Sequence, residues 1–365
     1  MRKTTLAWIV ILVPAVAGGT VSQESAFERR DVTVATPAYN LQPGDFDGDG
    51  DIDLATVNQQ ANSVALLLND GHGSFVSGTT VEGFDRPEAL AAADTDADGD
   101  LDLAIANAGA DAVVMLRNDG NAGFSVAATT PVGSRPHAIV AVDMDADGDI
   151  DWAVSDFGSA TVSVLLNDGA GNYVLAATAE ASPGTERAVV ADFDSDGDPD
   201  LAVSSFSAAT VNVLLNDGSG SFASGTSLAL GTGQHIAAGG DLDADGDIDM
   251  VVTSSGTGEA MLLDNNNGSL QHDVSVIVPE TPWAAVALDY DGDGDLDVAI
   301  ADYSGHRVSM LENEGDGDLE VAFTFAVGEQ PHQVVSADFD GDGRPDLATA
   351  NDAEASITVL LNRRR

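Results

Sequence analysis

Apolar residues fall in short runs of four to six along most of the chain, without the three-to-four-residue rhythm of an amphipathic helix. Val, Ile, Leu, Ala and Thr fill these runs, as from Ala138 to Val142 and from Leu103 to Ala106. Their length predicts strands, and runs that are apolar at nearly every position predict strands covered on both faces. Another run ends in Leu-Leu-Asn, as at Leu165 to Asn167. It leads into Asn-Asp-Gly-x-Gly-x-Phe, as at Asn216 to Phe222, a hairpin turn that predicts a further strand.

The polar segments repeat. D-x-D-x-D-G-x-x-D begins at Asp45, Asp94, Asp143, Asp192, Asp241, Asp289 and Asp338, at spacings of 49 residues with a single spacing of 48. Each copy separates a first apolar strand from a second, and the Asn-Asp-Gly turn separates a third from a fourth. Four strands per unit of this length predict an all-β, seven-bladed β-propeller of four antiparallel strands per blade over residues 27–362. EF-hand and dockerin-like readings of the motif need flanking amphipathic helices, and the pattern contains none. The ends are complementary: Phe27 stands where Phe75, Phe124, Tyr173, Phe222, Leu270 and Leu319 stand in other copies, whereas the last copy stops at Asn362. Phe27 to Ala35 is therefore expected to supply the outer strand of the blade whose other strands lie between Gln333 and Asn362, closing the ring.

The aspartate loops carry the clearest chemistry. Calcium takes six to eight oxygens, and alternate Asp side chains at loop positions 1, 3 and 5, a carbonyl at 7 and a carboxylate at 9 supply them, with Gly at 6 for the turn. In the first copy these are Asp45, Asp47, Asp49, the carbonyl of Asp51, and Asp53. The second uses Asp94, Asp96, Asp98, Asp100 and Asp102, and the third Asp143, Asp145, Asp147, Asp149 and Asp151. The fourth uses Asp192, Asp194, Asp196, Asp198 and Asp200, and the fifth Asp241, Asp243, Asp245, Asp247 and Asp249. Asp289, Asp291, Asp293, Asp295 and Asp297 form the sixth, and Asp338, Asp340, Asp342, Arg344 and Asp346 the seventh. Only position 7, which would ligate through its backbone, varies: it is Asp in six copies and Arg344 in the last. The expected cofactor is Ca²⁺, about seven ions at one per blade. The alternative, acidic turns serving solubility, explains the charge but not the spacing.

From residue 27 to residue 362 these strands, loops and Gly-x-Phe turns resemble the FG-GAP or VCBS-type repeat of secreted propellers and of the integrin α-chain head. The resemblance implies a propeller whose loops hold calcium. It leaves function open, since such propellers include adhesion receptors, lectin-like modules and domains attached to carbohydrate-active enzymes.

Charge and composition narrow the partners. The 365 residues include 13 Lys+Arg against 61 Asp+Glu, a formal net charge of −48, which repels nucleic acid and anionic lipid. The motifs hold 34 of the acidic residues, six copies of five and one of four, so the calcium-free protein is expected to be weakened by self-repulsion. There is no cysteine, so no disulfide, thiolate metal site or thiol nucleophile exists. Arg2 and Lys3, the apolar run Leu6 to Val13 and Ala15-Val16-Ala17 predict a signal peptide over residues 1–17, with an uncleaved anchor as the alternative. A linker over 18–26 and a basic tail over 363–365 complete the division of a monomeric protein, secreted or periplasmic, with no membrane insertion after cleavage.

Counting strands puts calcium loops and hairpin turns on one face and the remaining loops on the other. Six residues before each motif stand Tyr39, Glu88, His137, Glu186, His235, Trp283 and His332. Five residues after each stand Asn58, Asn107, Asp156, Ser205, Ser254, Asp302 and Asn351, with Phe157, Phe206 and Tyr303 at loop tips. The candidate ligand site comprises the first ring with Asp156, Asp302 and Tyr303, for a glycan or an extracellular protein. The competing view is that a strand's first residue is merely solvated. A carbohydrate-active enzyme, a lyase or hydrolase on the same rim, is the other functional reading, although no nucleophile elbow or H-E-x-x-H spacing is present.

Overall fold

The computed structural model describes residues 26–231, 233–266 and 268–364. The expected signal peptide and the linker as far as residue 25 lie outside the described residues, as does residue 365.

Seven four-stranded antiparallel sheets follow one another along the chain. Blade 1 consists of Asn40–Gly44, Asp53–Asn58, Ser63–Asn69 and Phe75–Glu82. The other blades repeat this order, with first strands packing on neighbouring first strands about the axis. The second strands, with no alternation in sequence, are buried at every residue in all seven blades. The fourth strands lie outermost and largely exposed, so they alternate or are polar.

The ring closes as the chain ends suggest. Phe27–Thr33 pairs antiparallel with Ser356–Asn362, from Phe27 opposite Asn362 to Thr33 opposite Ser356. The strand is two residues shorter than expected, although Val34 N still donates to the Ala355 carbonyl at 3.0 Å. The closing strand therefore hydrogen-bonds both ends of the chain into one sheet and covers an edge that would otherwise be open.

Each of the seven seams between blades has its own hydrophobic cluster. Phe46, Val57 and Leu66 of blade 1 meet Leu90, Leu103 and Ile105 of blade 2, and Val335, Ala348 and Ile357 of blade 7 meet Leu41, Leu54 and Leu67 of blade 1. The residue at motif position 2 fills the seam to the next blade: Phe46, Met144, Phe193, Leu242, Tyr290 and Phe339 are all essentially fully buried. Blade 2 has Thr95 there, and across that seam the large, fully buried Trp152 of blade 3 stands where blade 1 has Leu54. Small and large exchange across one contact, which keeps the seam filled.

A hydrogen-bond latch crosses the same seams. In six blades the Asn at or beside the end of the third strand donates through Nδ2 to the position 2 carbonyl of the preceding blade: Asn69 to Phe339 at 2.8 Å, Asn118 to Phe46 at 2.9 Å, Asn167 to Thr95 at 2.9 Å. Asn216 to Met144, Asn313 to Leu242 and Asn362 to Tyr290 repeat it at 2.7 to 2.8 Å. The same amide also donates to a carbonyl of its own aspartate loop, for Asn118 that of Leu101 at 3.1 Å. In sequence this Asn reads as part of a hairpin turn; its occurrence at or beside the end of all seven third strands is the signal that pointed further.

Removing the Asn118 amide takes a donor from the Leu101 and Phe46 carbonyls, of which Phe46 O still accepts from Ala122 N at 2.9 Å. Asn118→Ala is expected to lower stability by about 1–3 kcal/mol in urea unfolding, while Asn121→Ala in the exposed turn stays within about 0.5 kcal/mol. Equal midpoints for the two variants would contradict the latch.

Candidate functional site

The two faces differ in construction. On the loop face, position 9 of each motif is buried and its carboxylate is fixed by backbone donors. Asp53 accepts from Phe46 N at 3.1 Å and from Asn69 N at 2.8 Å, and Asp151, Asp200, Asp249, Asp297 and Asp346 accept from the equivalent pairs. In blade 2 the hydroxyl of Thr95 donates to Asp102 instead of the backbone, and Asn118 N supplies the other bond. Position 1 folds the loop: Asp45 accepts from Gly48 N at 2.8 Å and Gly50 N at 3.0 Å. Carboxylate oxygens of Asp45, Asp47 and Asp53 then lie within 4.8 Å of one another, as do those of Asp143, Asp145 and Asp151, of Asp192, Asp194 and Asp200, and of Asp241, Asp243 and Asp249. In blade 2 the group is Asp94, Asp96 and Asp98. Burial pushes Asp53, Asp151, Asp249 and Asp346 up to about 6 and Asp297 up to about 7, against the pull of their backbone donors.

Such clusters suit a metal ion, and their all-oxygen donor set is that of a hard cation. Each oxygen that accepts one N–H retains a second lone pair for an ion. Position 7 faces elsewhere: a Cβ at Gly71, held at φ +71°, would sit 2.5 Å from Asp51 Oδ2, so the hairpin glycine is required both by its backbone and by the packed carboxylate. Arg117 reaches Asp96 at 2.6 Å and Arg364 reaches Asp291 at 3.3 Å, and Arg363 is paired with Asp340, so three loops carry a guanidinium at position 3.

On the opposite face the structure brings the seven first-ring residues into mutual contact around the axis. Glu88 and Glu186 flank His137, whose Nε2 lies 3.7 Å from Glu88 Oε2 and 3.7 Å from Glu186 Oε1. His235 Nδ1 is 2.7 Å from Glu186 Oε2, and the His235 ring is 4.4 Å from Trp283. Trp283 Nε1 donates to His332 Nε2 at 3.1 Å, His332 Nδ1 is 2.9 Å from the Tyr39 carbonyl, and their rings stack at 3.8 Å. These are not solvated strand ends: Glu88 is 2% exposed, Glu186 4%, His235 0% and His332 4%.

Local backbone explains the convergence. The first strands of blades 2, 3, 4, 6 and 7 have a register shift at this ring, so Glu88, His137, Glu186, Trp283 and His332 occupy β-bulges that turn them towards the axis. The bulge also lets a following residue turn inward, which is how Arg187 and Gln333 join Tyr39, Glu88, His137 and His332 around a cavity of about 220 Å³. Arg187 Nη1 donates to Gln333 Oε1 at 3.1 Å. Sequence reasoning misses Gln333, because a bulge leaves no mark in the apolar pattern.

Asp156 and Asp302 stand apart from this cavity. Asp156 accepts from Ser163 Oγ at 2.7 Å and Thr161 Oγ1 at 3.0 Å, and Asp302 from Thr281 N at 2.8 Å. Both are fully buried: Asp156 holds the start of its blade's third strand, and Asp302 holds the segment that leads into its blade's first strand. Tyr303 lies 5.3 Å from Trp283, and Phe206 5.4 Å from His235, so loop-tip aromatics extend the ring outward. Phe157 lies 5.8 Å from His137, under Arg135.

The electrostatics of the ring follow from burial. Burial acts to raise the Glu186 carboxyl, but the His235 contact, with His137 and Arg187, outweighs it and holds the group at about 2. His332 is pushed down to about 3 by burial, helped by Arg187 and His137 and opposed by the Tyr39 carbonyl and Glu186. Its tautomer is fixed: Nε2 accepts the indole N–H, so Nδ1 carries the proton towards Tyr39 O. A depressed histidine contributes stability that is complete above about pH 6.5 and is lost as pH falls towards the folded value. His332→Gln is therefore expected to flatten the stability profile between about pH 6.5 and 4 by up to about 1.4 kcal/mol per pH unit relative to wild type. Parallel profiles in urea unfolding would contradict the neutral, buried assignment.

Similarity to known proteins places the chain. The FG-GAP-like repeat matches at residues 45–105, 94–154, 143–203, 192–252, 241–300 and 289–349. No curated protein sequence matches. Similar solved structures include BBS1N in complex with ARL6DN (TM-score 0.68, 11% identity, 93% of this chain and 98% of that one). An Agrocybe aegerita lectin described as recognising non-reducing terminal N-acetylglucosamine has TM-score 0.56 and 19% identity over 91% of this chain and 87% of that one. The periplasmic gluconolactonase of Pseudomonas aeruginosa has TM-score 0.60 and 18% identity over 80% and 86%. At these identities the likeness is one of fold. The repeat matches span residues 45 to 349 and coincide with six successive loop-to-loop units of the ring, and the chain belongs to the FG-GAP-like repeat family.

Proposed function

We propose that this propeller is a secreted, calcium-stabilised binding or adhesion module that takes a glycan or an extracellular protein on the face opposite its aspartate loops. The reading rests on one observation: seven polar and aromatic side chains from seven blades form a continuous run of contacts at the axis, and Tyr39, Glu88, His137 and His332 among them line a cavity there. Side chains needed only for solubility have no reason to be buried in contact with one another, whereas a convergent polar cavity edged with aromatics is what a ligand site requires. Phe206, 38% exposed, and Trp283 with Tyr303 offer ring faces beside it.

Calcium, one ion per loop, would stabilise the fold from the other side. Ions that bind only the folded chain add about 3 kcal/mol per site at a hundredfold excess over Kd, and they offset the self-repulsion of clustered carboxylates. The lectin fold neighbour supports a glycan; the propeller solved with ARL6DN supports a protein partner. The gluconolactonase neighbour keeps a carbohydrate-active enzyme as the competing reading.

A glycan array probed with the calcium-loaded protein separates these. Binding without turnover, weakened at least about tenfold in Phe206→Ala at unchanged melting temperature, is the expected outcome. Release of product from a polysaccharide would replace the binding module with an enzyme. Equal binding by wild type and Phe206→Ala, Trp283→Ala and Tyr303→Ala would move the ligand site off this face.

A further inference from the structure

The Glu88, His137 and Glu186 cluster has a feature that ligand binding alone does not explain. Two carboxylates from blades 2 and 4 are turned on one imidazole from blade 3, and each carboxylate already has its other oxygen beside a nitrogen of a further side chain. Arg86 Nε lies 3.3 Å from Glu88 Oε1, and His235 Nδ1 lies 2.7 Å from Glu186 Oε2. The remaining oxygens, Glu88 Oε2 and Glu186 Oε1, both face His137 Nε2 at 3.7 Å. That is too long for a hydrogen bond. It is close to the separation of ligand atoms that share a metal: two donors ~2.1 Å from one ion stand ~3.0 to 3.4 Å apart, so a closure of a few tenths of an ångström suffices.

Burial of two converging carboxylates is costly, and Arg86 beside Glu88 and Arg187 near Glu186 offset part of that cost. Glu88 and Glu186 are more than nine-tenths buried, and two converging buried carboxylates require compensation. A divalent ion supplies the charge without protonating the ring. The mixed donor set, one imidazole nitrogen and two carboxylate oxygens, suits zinc-class transition metals, in contrast to the all-oxygen aspartate loops. Glu88 and His137 also line the axial cavity, so coordination positions not filled by protein open onto it.

We propose that Glu88, His137 and Glu186 bind one zinc-class divalent transition-metal ion at the mouth of the axis, separate from the aspartate loops. The ion would tie three consecutive blades together and present a Lewis-acidic position to the cavity. This site stands whether the cavity takes a glycan, a protein loop or nothing larger than water.

The test is titration of the full chain with Co²⁺ in saturating Ca²⁺, followed by visible absorption and by metal counting after dialysis. Wild type is expected to bind one Co²⁺ that Ca²⁺ does not displace, with the absorption of a nitrogen-ligated ion. His137→Gln and Glu88→Gln are each expected to weaken it at least about tenfold, and His72→Gln, on the loop face, to leave it unchanged. Circular dichroism in Ca²⁺ checks folding, and if one ring variant fails to fold the other decides the outcome. No calcium-resistant Co²⁺ in wild type, or equal uptake by wild type and a folded ring variant, would overturn the proposal and leave His137 as an ordinary member of the ring.

Discussion

A carboxylate buried at the ninth position of every aspartate loop holds the two ends of each blade's chemistry together. In blade 1, Asp53 takes the N–H of Phe46 with one oxygen and the N–H of Asn69 with the other. The first bond curls the loop so that Asp45 and Asp47 approach it, and the second sets the end of the third strand. The Asn69 side chain then donates to the Phe339 carbonyl of the neighbouring blade, and Phe339 fills the seam between them. Loop curl, strand register and blade-to-blade packing are thus coupled through one buried group that recurs in every blade, with the Thr95 hydroxyl replacing the backbone donor in blade 2, which accounts for the small tolerance of the repeat to change in spacing.

That coupling has an electrostatic cost. Burial raises the ninth-position aspartates while neighbouring aspartates of the same loop add repulsion, and in three blades arginines reach into the cluster. The chain carries no disulfide to offset this, so the loops themselves must find compensation. A hard divalent cation is the partner whose preferred donors match what the loop presents.

The fold was legible in the sequence because it depends on short-range signals repeated seven times: strand-length apolar runs, Asn-Asp-Gly turns and the aspartate spacing. The complementary ends at Phe27 and Asn362 even disclosed the closure. Features that depend on contacts between blades were not legible in the same way. Asn118 looks like turn chemistry until Phe46 is seen beside it, and the exchange of Thr95 for Trp152 has meaning only across a seam. At the opposite mouth, counting along strands found the seven ring residues but not the bulges that aim them, so Gln333 was missed. The same counting grouped Asp156 and Asp302 with the ring, although their carboxylates are taken up by the neighbouring strand and loop segments.

The claim on which the account rests is that the ring needs cations in its aspartate loops to remain folded. Thermal unfolding with and without excess EGTA, with calcium counted by atomic emission on the same sample, tests it most directly. Bound calcium approaching one ion per loop and a fall of at least about 10 °C in Tm on chelation are the expected result. No bound calcium and an unchanged Tm would contradict it, leaving the loops as acidic turns held by backbone hydrogen bonds alone.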